Sequence, residues 1–308
     1  MSSFYVQGVD PIGDNVKLDQ GIISGVRIIS TSRAGQSLWV ETVKIEAMLP
    51  DGSTKTYFKK GATGNVGREM VRGCYESEKA IHSFIPEYVP EPIAWGSYLS
   101  RDDMHFYLAE YVEMNDVHPD DKAWATVAST LHRRSMGKSP EGKFGFHVGG
   151  FMANVPMSNS WSSSWEIFWV QRMRSLLEIE EGRCGKDASF TQLKSAFLEH
   201  VVPRYLRPLE SDGRSIQPCL LHADLWPGNI KPRANSPGML CAFDSASFWG
   251  HFEGPGLWNL EKAGEAYREM IHVSEPQDEY LDRNSVYGIT GMILRSAMYN
   301  QDPKRRFM

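Results

Sequence analysis

The segment LLHADLWPGNIKPRANSPGMLCAFDSASFWGH, residues 220–251, contains an acid, an amide five positions later, and a second acid after an apolar run. The apolar residues at its start are typical of a strand that leaves the core, with Asp224 at the mouth of the following loop. A proline and a glycine favour a tight loop there, and Asn229 follows them. A second short apolar strand ends at Asp244, so a strand, a loop and a strand would bring the three polar side chains close together.

Two carboxylates and an amide in this order suit the transfer of a phosphoryl group. One carboxylate orients the acceptor hydroxyl, while the amide oxygen and the other carboxylate hold Mg²⁺ against the phosphates. The spacing of Asp224 and Asn229 matches the D-x-x-x-x-N of the protein-kinase catalytic loop, and Asp244 stands where the metal-binding Asp of DFG would be. Taken alone, the three residues are also compatible with an ordinary surface, because acids and amides recur by chance.

The overall composition narrows the class of protein. The chain has 308 residues, is 41% hydrophobic and 23% charged, and carries a net charge of −5. This is an ordinary globular composition with room for two lobes, and it lacks the basic excess of a nucleic-acid-binding protein. Four cysteines lie far apart without a CxxC pair, which fits a reducing compartment. We expect a cytoplasmic protein with no membrane partner, since neither a signal peptide nor a long apolar run is evident.

The order of predicted elements indicates an α+β protein. Residues 38–48 alternate between apolar and charged, which predicts a strand, and TKTYFKK (54–60) returns after a PDGS turn as the second strand of a hairpin. Two further strands precede residue 113. Helices are predicted over 65–84, 120–135, 161–181, 188–209, 257–272 and 281–299. Because strands and helices are segregated, we expect a small nucleotide-binding lobe over 1–112 and a larger helical lobe over 113–308, with the ligand in a cleft.

A kinase-like site also needs a lysine on a strand of the small lobe, and two are available. Lys59 and Lys60 end the second hairpin strand with their side chains on opposite faces. The sequence leaves open which face meets the cleft, or whether both lysines are solvated. Glu110 and Val112, in FYLAEYV, could offer hinge backbone groups to an adenine or could belong to a plain core strand.

Several motifs resemble one known family. LHADLWPGN is similar to the H-G-D-L-W-x-G-N of the fructosamine (ketosamine) kinases, which share the aminoglycoside-phosphotransferase, protein-kinase-like fold. FDSASFWGH resembles their F-D-P-A-x-[FY]-[YW]-G-H, and KFGFHVGG, SWEIFWVQRM and PEPIAWGSY match as well. The resemblance covers residues 35–300, and it identifies the chain as a member of this family with a two-lobed fold.

The resemblance implies ATP and Mg²⁺ as cofactors. It further implies phosphorylation of a sugar hydroxyl of a ketosamine, either a small molecule or a glycated lysine of a protein, as a deglycation repair. In this reading Asp224 is the catalytic base, and Asn229 and Asp244 are the metal ligands. Lys60 is the phosphate lysine, because the family pattern Y-F-hydrophobic-K aligns Lys59 with the hydrophobic position.

The same resemblance assigns the remaining contacts. Glu110 and Val112 would bind the adenine, while Trp226 and His251 would lie on the substrate side. An indole face suits the apolar side of a sugar; packing of the catalytic loop is the alternative for Trp226. His222, before the catalytic acid, is interpreted as a loop anchor. The oligomeric state is left open.

The chain departs from the family pattern at four positions. Cys74 occupies the place of the glutamate that pairs with the lysine; Glu78 lies one helical turn away on the same face. Pro255 stands where a further acid is usual, Ala223 replaces a glycine, and Ser245 replaces a proline. Cys74 and Pro255 keep two alternatives open: an inactive pseudokinase scaffold, and a same-fold kinase for another small hydroxyl compound.

Overall fold

The computed structural model describes residues 16–18, 26–35, 40–98, 101–254 and 261–301. The chain divides into two compact units. The first is Met1–Val117 with Lys231–Asp244, and the second is His118–Ile230 with Ser245–Met308. The lobe boundary at residues 112 and 113 stays a prediction, and the first unit differs from it by including a segment from late in the chain.

Strands and helices are distributed unequally between the two units. In the described part of the chain the strands are β1 (Val16–Leu18), β2 (Arg27–Arg33), β3 (Glu41–Met48), β4 (Thr54–Thr63), β5 (Pro92–Tyr98), β6 (Met104–Glu110), β7 (Gly150–Met152), β8 (Val155–Met157), β9 (Cys219–Leu221), β10 (Ile230–Pro232), β11 (Leu240–Ala242) and β12 (Phe248–Gly250). The helices of the same ranges are α1 (Gly64–His82), α2 (Asp121–Ser135), α3 (Trp165–Cys184), α4 (Ala188–Ala196), α5 (Val202–Leu206), α6 (Glu261–Met270) and α7 (Tyr280–Met298).

The first unit is built on a six-stranded antiparallel sheet with the order β1-β5-β6-β4-β3-β2. β3 and β4 form the predicted hairpin, in unbroken register from Glu41 opposite Gly61 to Met48 opposite Thr54. The PDGS turn closes it with a hydrogen bond from the Leu49 N–H to the Ser53 carbonyl at 2.8 Å. The predicted strands of this half are therefore confirmed.

The two faces of this sheet have different partners. Val43, Ile45 and Ala47 alternate along β3 and are buried on one face, in a cluster that includes Tyr57 and Phe106. On the other face, residues of α1 and of the central strands pack together; they are Ala62, Val71, Tyr75, Trp95, Tyr107 and Ala109. The position of α1 therefore decides which side chains of β4 face the helix.

The second unit is mainly helical. α2 begins at the N-cap Asp120, whose carboxylate accepts the Ala123 N–H at 2.9 Å, and three basic residues lie in its last turn. This charge order complements the helix dipole. The predicted aromatic stripe of α3 is buried, with Trp165, Phe168 and Trp169 each exposed by 2% or less.

The helix predicted over 188–209 is confirmed as an unbroken run of helical residues, although the type of helix changes along it. The segment consists of α4, a π-helical turn (Phe197–Val201), α5, and a 3-10 turn (Arg207–Glu210). Pro203 and Pro208 explain the changes of helix type, because proline has no N–H to donate within a helix and its ring crowds the preceding turn. A π-helical turn directly before Pro203 accommodates the missing hydrogen bond.

Two short two-stranded sheets organise the segment from 220 to 251, one at its two ends and one in its middle. β9 pairs with β12, placing Leu221 opposite Phe248, and β10 pairs with β11. β9 and β11 were predicted, whereas β10 and β12 were not. In the described ranges, no helix is both long and apolar enough to span a bilayer. All four cysteines are described, and each is a free thiol.

Candidate active site

The first unit contains a cavity of about 300 Å³, at the lower end of the range typical of small-molecule sites. It is lined by residues of β3, β4, α1 and β6 and of the chain after β6, together with Phe243 and Asp244. The late segment of the chain therefore supplies part of the wall of a cavity that the N-terminal sheet otherwise forms.

Lys60 lies on the cavity side of β4, and Lys59 does not. The Lys59 ammonium donates to the Tyr98 hydroxyl at 3.0 Å, on the face that buries Tyr57. Phe58 and Lys60 line the cavity. The structure thus resolves the choice between the two lysines that strand alternation left open.

The Lys60 ammonium forms an ion pair with the Asp244 carboxylate. Burial is the largest single effect and lowers the pKa of Lys60, but the charge and hydrogen bond of Asp244, together with the electrostatic effects of Cys74 and Glu78, outweigh it and hold the pKa above its ordinary value. Lys60 is therefore a cation at neutral pH although only 7% of it is exposed. Asp244 has a φ of 62°, a left-handed conformation of the kind that occurs at functional sites.

The chain at the end of β6 borders the same cavity. The Glu110 N–H donates to the Glu91 carbonyl at 2.8 Å, and the Tyr111 N–H donates to the Thr56 carbonyl at 3.2 Å. Val112 also lines the cavity, and its N–H donates to no backbone acceptor in the described part of the chain. Of the two predicted hinge residues, Val112 has the available donor, whereas Glu110 uses its own N–H within the sheet.

Asp224 and Asn229 are brought together in the second unit, in the loop after β9. The Asn229 Nδ2 donates to the backbone carbonyl and to the Oδ2 of Asp224, each at 2.9 Å. This leaves the Oδ1 of Asn229 as the oxygen suited to a cation. His222 anchors the loop as predicted: its Nδ1 accepts the Asp224 N–H at 3.4 Å, and its carbonyl accepts the Ala246 N–H at 3.0 Å.

Trp226 presents its indole to solvent from the same loop, with 57% of the residue exposed. The ring lies against Gly228, where an added Cβ would come within 2.2 Å of the indole. The Asn229 N–H donates to the Trp226 carbonyl at 2.8 Å. Glycine at 228 therefore lets an exposed aromatic face lie flat on the loop.

His251 does not meet the expectation of a substrate contact. It has no exposed surface, and its two ring nitrogens lie 2.9 Å from the Tyr287 hydroxyl and 2.8 Å from the Ser274 hydroxyl. Burial holds the pKa of His251 well below its ordinary value, so the ring is neutral. We assign it to the internal packing of the second unit.

A magnesium ion requires oxygen ligands in a particular number and arrangement. Within the described ranges, no group of three or more acidic, histidine or cysteine side chains is placed to hold a metal ion. Mg²⁺ does not need one, because it binds proteins through one or two carboxylates and completes its shell with waters and phosphate oxygens. A carboxylate such as that of Asp244 and an amide oxygen such as that of Asn229 are each donors of this kind.

The departures from the family pattern can be located at three of the four positions. Cys74 Sγ lies 3.9 Å from the Lys60 ammonium, so the thiol does occupy the place beside the lysine. Ala223 has a φ of 64°, a conformation that costs an L-residue about 1–2 kcal/mol and that glycine adopts freely. Ser245 is buried. Pro255 lies outside the described residues.

Solved structures establish the class of fold. A protein from Haemophilus somnus that is provisionally assigned as a fructosamine-3-kinase gives a TM-score of 0.69 at 18% identity, over 91% of this chain and 88% of that one. A thermostable mutant of aminoglycoside phosphotransferase APH(4)-Ia, in ternary complex with AMP-PNP and hygromycin B, gives 0.58 at 11% identity, over 91% and 90%. The fold is α+β and protein-kinase-like, with a small antiparallel sheet, as predicted.

Sequence comparison then establishes the family. The fructosamine kinase family model matches residues 31–304. The rice (Oryza sativa subsp. japonica) chloroplastic protein-ribulosamine 3-kinase is 26% identical over 290 residues, 93% of this chain and 78% of its own length. The mouse ketosamine-3-kinase is 37% identical over 208 residues, 60% and 63% respectively. The chain belongs to the fructosamine kinase family.

Proposed function

We propose that this chain is an ATP-dependent kinase that phosphorylates a sugar hydroxyl of ketosamines. The observation that carries the proposal is the Lys60–Asp244 ion pair on the wall of the cavity in the first unit. The relatives named as ribulosamine and ketosamine 3-kinases support the acceptor. The AMP-PNP complex of the aminoglycoside phosphotransferase supports ATP as the donor.

The nucleotide would be held by residues of the first unit. Lys60 is a buried cation and would donate to the α- and β-phosphates. The Val112 N–H and the Glu110 backbone carbonyl would bind the adenine edge, while the apolar lining of the cavity would cover its faces. Mg²⁺, held by Asn229 and Asp244, would neutralise negative charge on the phosphate oxygens.

Asp224 would act on the acceptor hydroxyl. The hydrogen bond from the Asn229 Nδ2 fixes the Asp224 carboxylate in one orientation, which is what a group needs in order to align a hydroxyl and take its proton. A carboxylate of this kind lowers the barrier mainly by positioning, since phosphoryl transfer needs little covalent help from the protein.

Trp226 would form the platform for the sugar. Its exposed indole offers an apolar face to the CH groups of a sugar ring. The acceptor amine would be a free amino compound or a protein lysine, and a function in removing sugar adducts from proteins follows from the second case. The cytoplasmic location stays a prediction.

The proposal is tested by ATP turnover with fructosyl-lysine and ribulosyl-lysine, for the wild type and for Asp224→Asn. We expect turnover that requires the sugar and falls by about 10²- to 10⁴-fold in the variant, while Mg-ATP still raises the melting temperature of both proteins. Thermal stabilisation without turnover would indicate another small hydroxyl acceptor. If the protein shows no turnover and no stabilisation by Mg-ATP, the kinase function is refuted and an inactive scaffold is favoured.

A further inference from the structure

The helix side of the Lys60 site is occupied by an unusual pair of side chains. Cys74 Sγ is 3.9 Å from the ammonium, but a thiol is a weak hydrogen-bond acceptor. Burial raises the pKa of Cys74 to about 11, so the thiol is uncharged at neutral pH. Cys74 therefore contacts the lysine without balancing its charge.

Glu78 is the carboxylate of α1 that is best placed to balance it. Positions 74 and 78 lie one turn apart on the same helix face, and Glu78 lines the same cavity as Lys60. Only 3% of Glu78 is exposed, which is rare for a glutamate. Its negative charge acts on Lys60 and on Tyr107, the residue opposite Lys60 in the β4–β6 register.

Asp244 cannot be the only carboxylate partner of the Lys60 ammonium in every state of the proposed reaction. In this structure Asp244 pairs with the ammonium, and its side chain is 49% exposed. When Asp244 binds a cation, its charge is shared with that cation. The phosphates would then accept from the Lys60 ammonium, but a buried ammonium also needs a fixed partner within the protein, and a second carboxylate near Lys60 would supply it.

We propose that Glu78 is the positioning residue that holds Lys60 toward the phosphates once Asp244 is engaged by the metal, in place of the carboxylate that residue 74 lacks. This inference rests on the proposed function. Lys60 then has two carboxylate partners, Asp244 in the empty site and Glu78 in the loaded one. The lysine–glutamate pair of the family would then be formed by Lys60 and Glu78, one helical turn after position 74.

The test compares AMP-PNP affinity, by calorimetry on the full chain, in Mg²⁺ and in EDTA. In Mg²⁺, Glu78→Gln should weaken binding by about tenfold or more, the size expected for a lost charge-assisted contact. In EDTA the loss should be smaller, because Asp244 remains available to Lys60. Restoring a carboxylate one turn earlier, in the double variant Cys74→Glu with Glu78→Gln, should recover the affinity to within a few-fold.

Glu69→Gln is the matched control. Glu69 lies on the exposed side of α1, 3.8 Å from Arg72, and its loss should leave nucleotide affinity unchanged in both buffers. Three results would each overturn the inference: Glu78→Gln binds AMP-PNP as well as the wild type, Glu78→Gln loses equal affinity in both buffers, or the double variant recovers no affinity. A purely structural role for Glu78 predicts the last two results.

Two further cases are covered by the same measurements: a variant that does not fold, and a failure of the proposed function. If Glu78→Gln does not fold, Glu78→Asp keeps the charge but shortens its reach, and wild-type affinity in Mg²⁺ for this variant would overturn the inference. If the wild type binds AMP-PNP but phosphorylates no ketosamine, the proposed acceptor fails while the role of Glu78 is still measured. If the wild type binds no nucleotide at all, both proposals fail.

Discussion

Removing the charge of Glu253 should be among the most damaging single changes in the second unit. The Glu253 carboxylate accepts from Arg283 Nε at 2.9 Å and Nη2 at 3.1 Å, and from the Ser274 N–H at 2.6 Å. Both side chains of the pair are 1% exposed or less. Arg283 also donates to the carbonyls of Ser274 and Pro276 at 2.8 and 2.6 Å, so the guanidinium cannot move away when its partner changes.

Glu253→Gln keeps the shape of the side chain and turns an amide toward a guanidinium that has no other counter-charge in the described surroundings. Breaking one side of a buried pair costs about 3–5 kcal/mol. For a urea slope of about 2–3 kcal/mol/M, the unfolding midpoint should fall on the order of 1–2 M. Equilibrium urea unfolding followed by circular dichroism measures this shift.

Glu166→Gln provides the comparison, because it changes a bidentate arginine–carboxylate pair of the same geometry that is exposed to solvent. Arg207 Nε and Nη2 lie 3.0 and 2.9 Å from the Glu166 carboxylate oxygens, but the Arg207 side chain is 64% exposed. Water can replace the lost partner there, so the midpoint should stay near that of the wild type. Equal shifts for the two variants would refute the reasoning that burial, and not bidentate geometry, sets the cost.

Three further changes test two residues of the catalytic loop and one buried histidine of α2. Ala223→Gly should stabilise the protein by about 0.5–1 kcal/mol, because relief at a φ of 64° exceeds the added freedom of the unfolded chain; a urea midpoint below that of the wild type would contradict this. Gly228→Ala should displace the Trp226 indole and raise the KM for the ketosamine while leaving the KM for ATP unchanged, which steady-state kinetics would detect. Burial lowers the pKa of His132 from 6.5 to about 3, with a smaller effect from the nearby His222. Below pH 6.5, His132 is therefore protonated in the unfolded chain but stays neutral in the folded chain. The free energy of unfolding decreases as the pH falls through this range. Between pH 7 and 5, His132→Gln should lose about 2 kcal/mol less stability than the wild type, and urea midpoints that change in parallel for the two proteins would contradict this.

Local sequence patterns predicted most of the regular structure, because local physics determines it. Val43, Ile45 and Ala47 alternate along a strand that buries one face, and the acidic start and basic end of α2 agree with its dipole. The three-residue strands β10 and β12 escaped prediction. Strands this short are stabilised by the partner strand, which comes from elsewhere in the chain, and their own residues carry little signal.

The same distinction applies to the site. The spacing of Asp224 and Asn229 was visible in the motif, and one loop brings them into contact. The choice between Lys59 and Lys60 could not be made from alternation, since both faces of β4 are covered and the packing of α1 decides between them. A motif gives the identity of His251 but not its burial, which results from Tyr287 and Ser274 far along the chain. The aromatic and acidic lining of the cavity, including Phe243 and Glu78, is likewise a product of tertiary packing.

The inclusion of Lys231–Asp244 in the first unit has a consequence for biosynthesis. A ribosome releases the N-terminal sheet first, yet Asp244 emerges only after His118–Ile230 has been synthesised. Until then the nascent sheet would have to bury the Lys60 ammonium without its counter-ion, and one wall of the cavity is missing. The first unit therefore cannot mature independently before its late segment is synthesised, and a truncated chain ending at Val117 should depend on chaperones or be degraded.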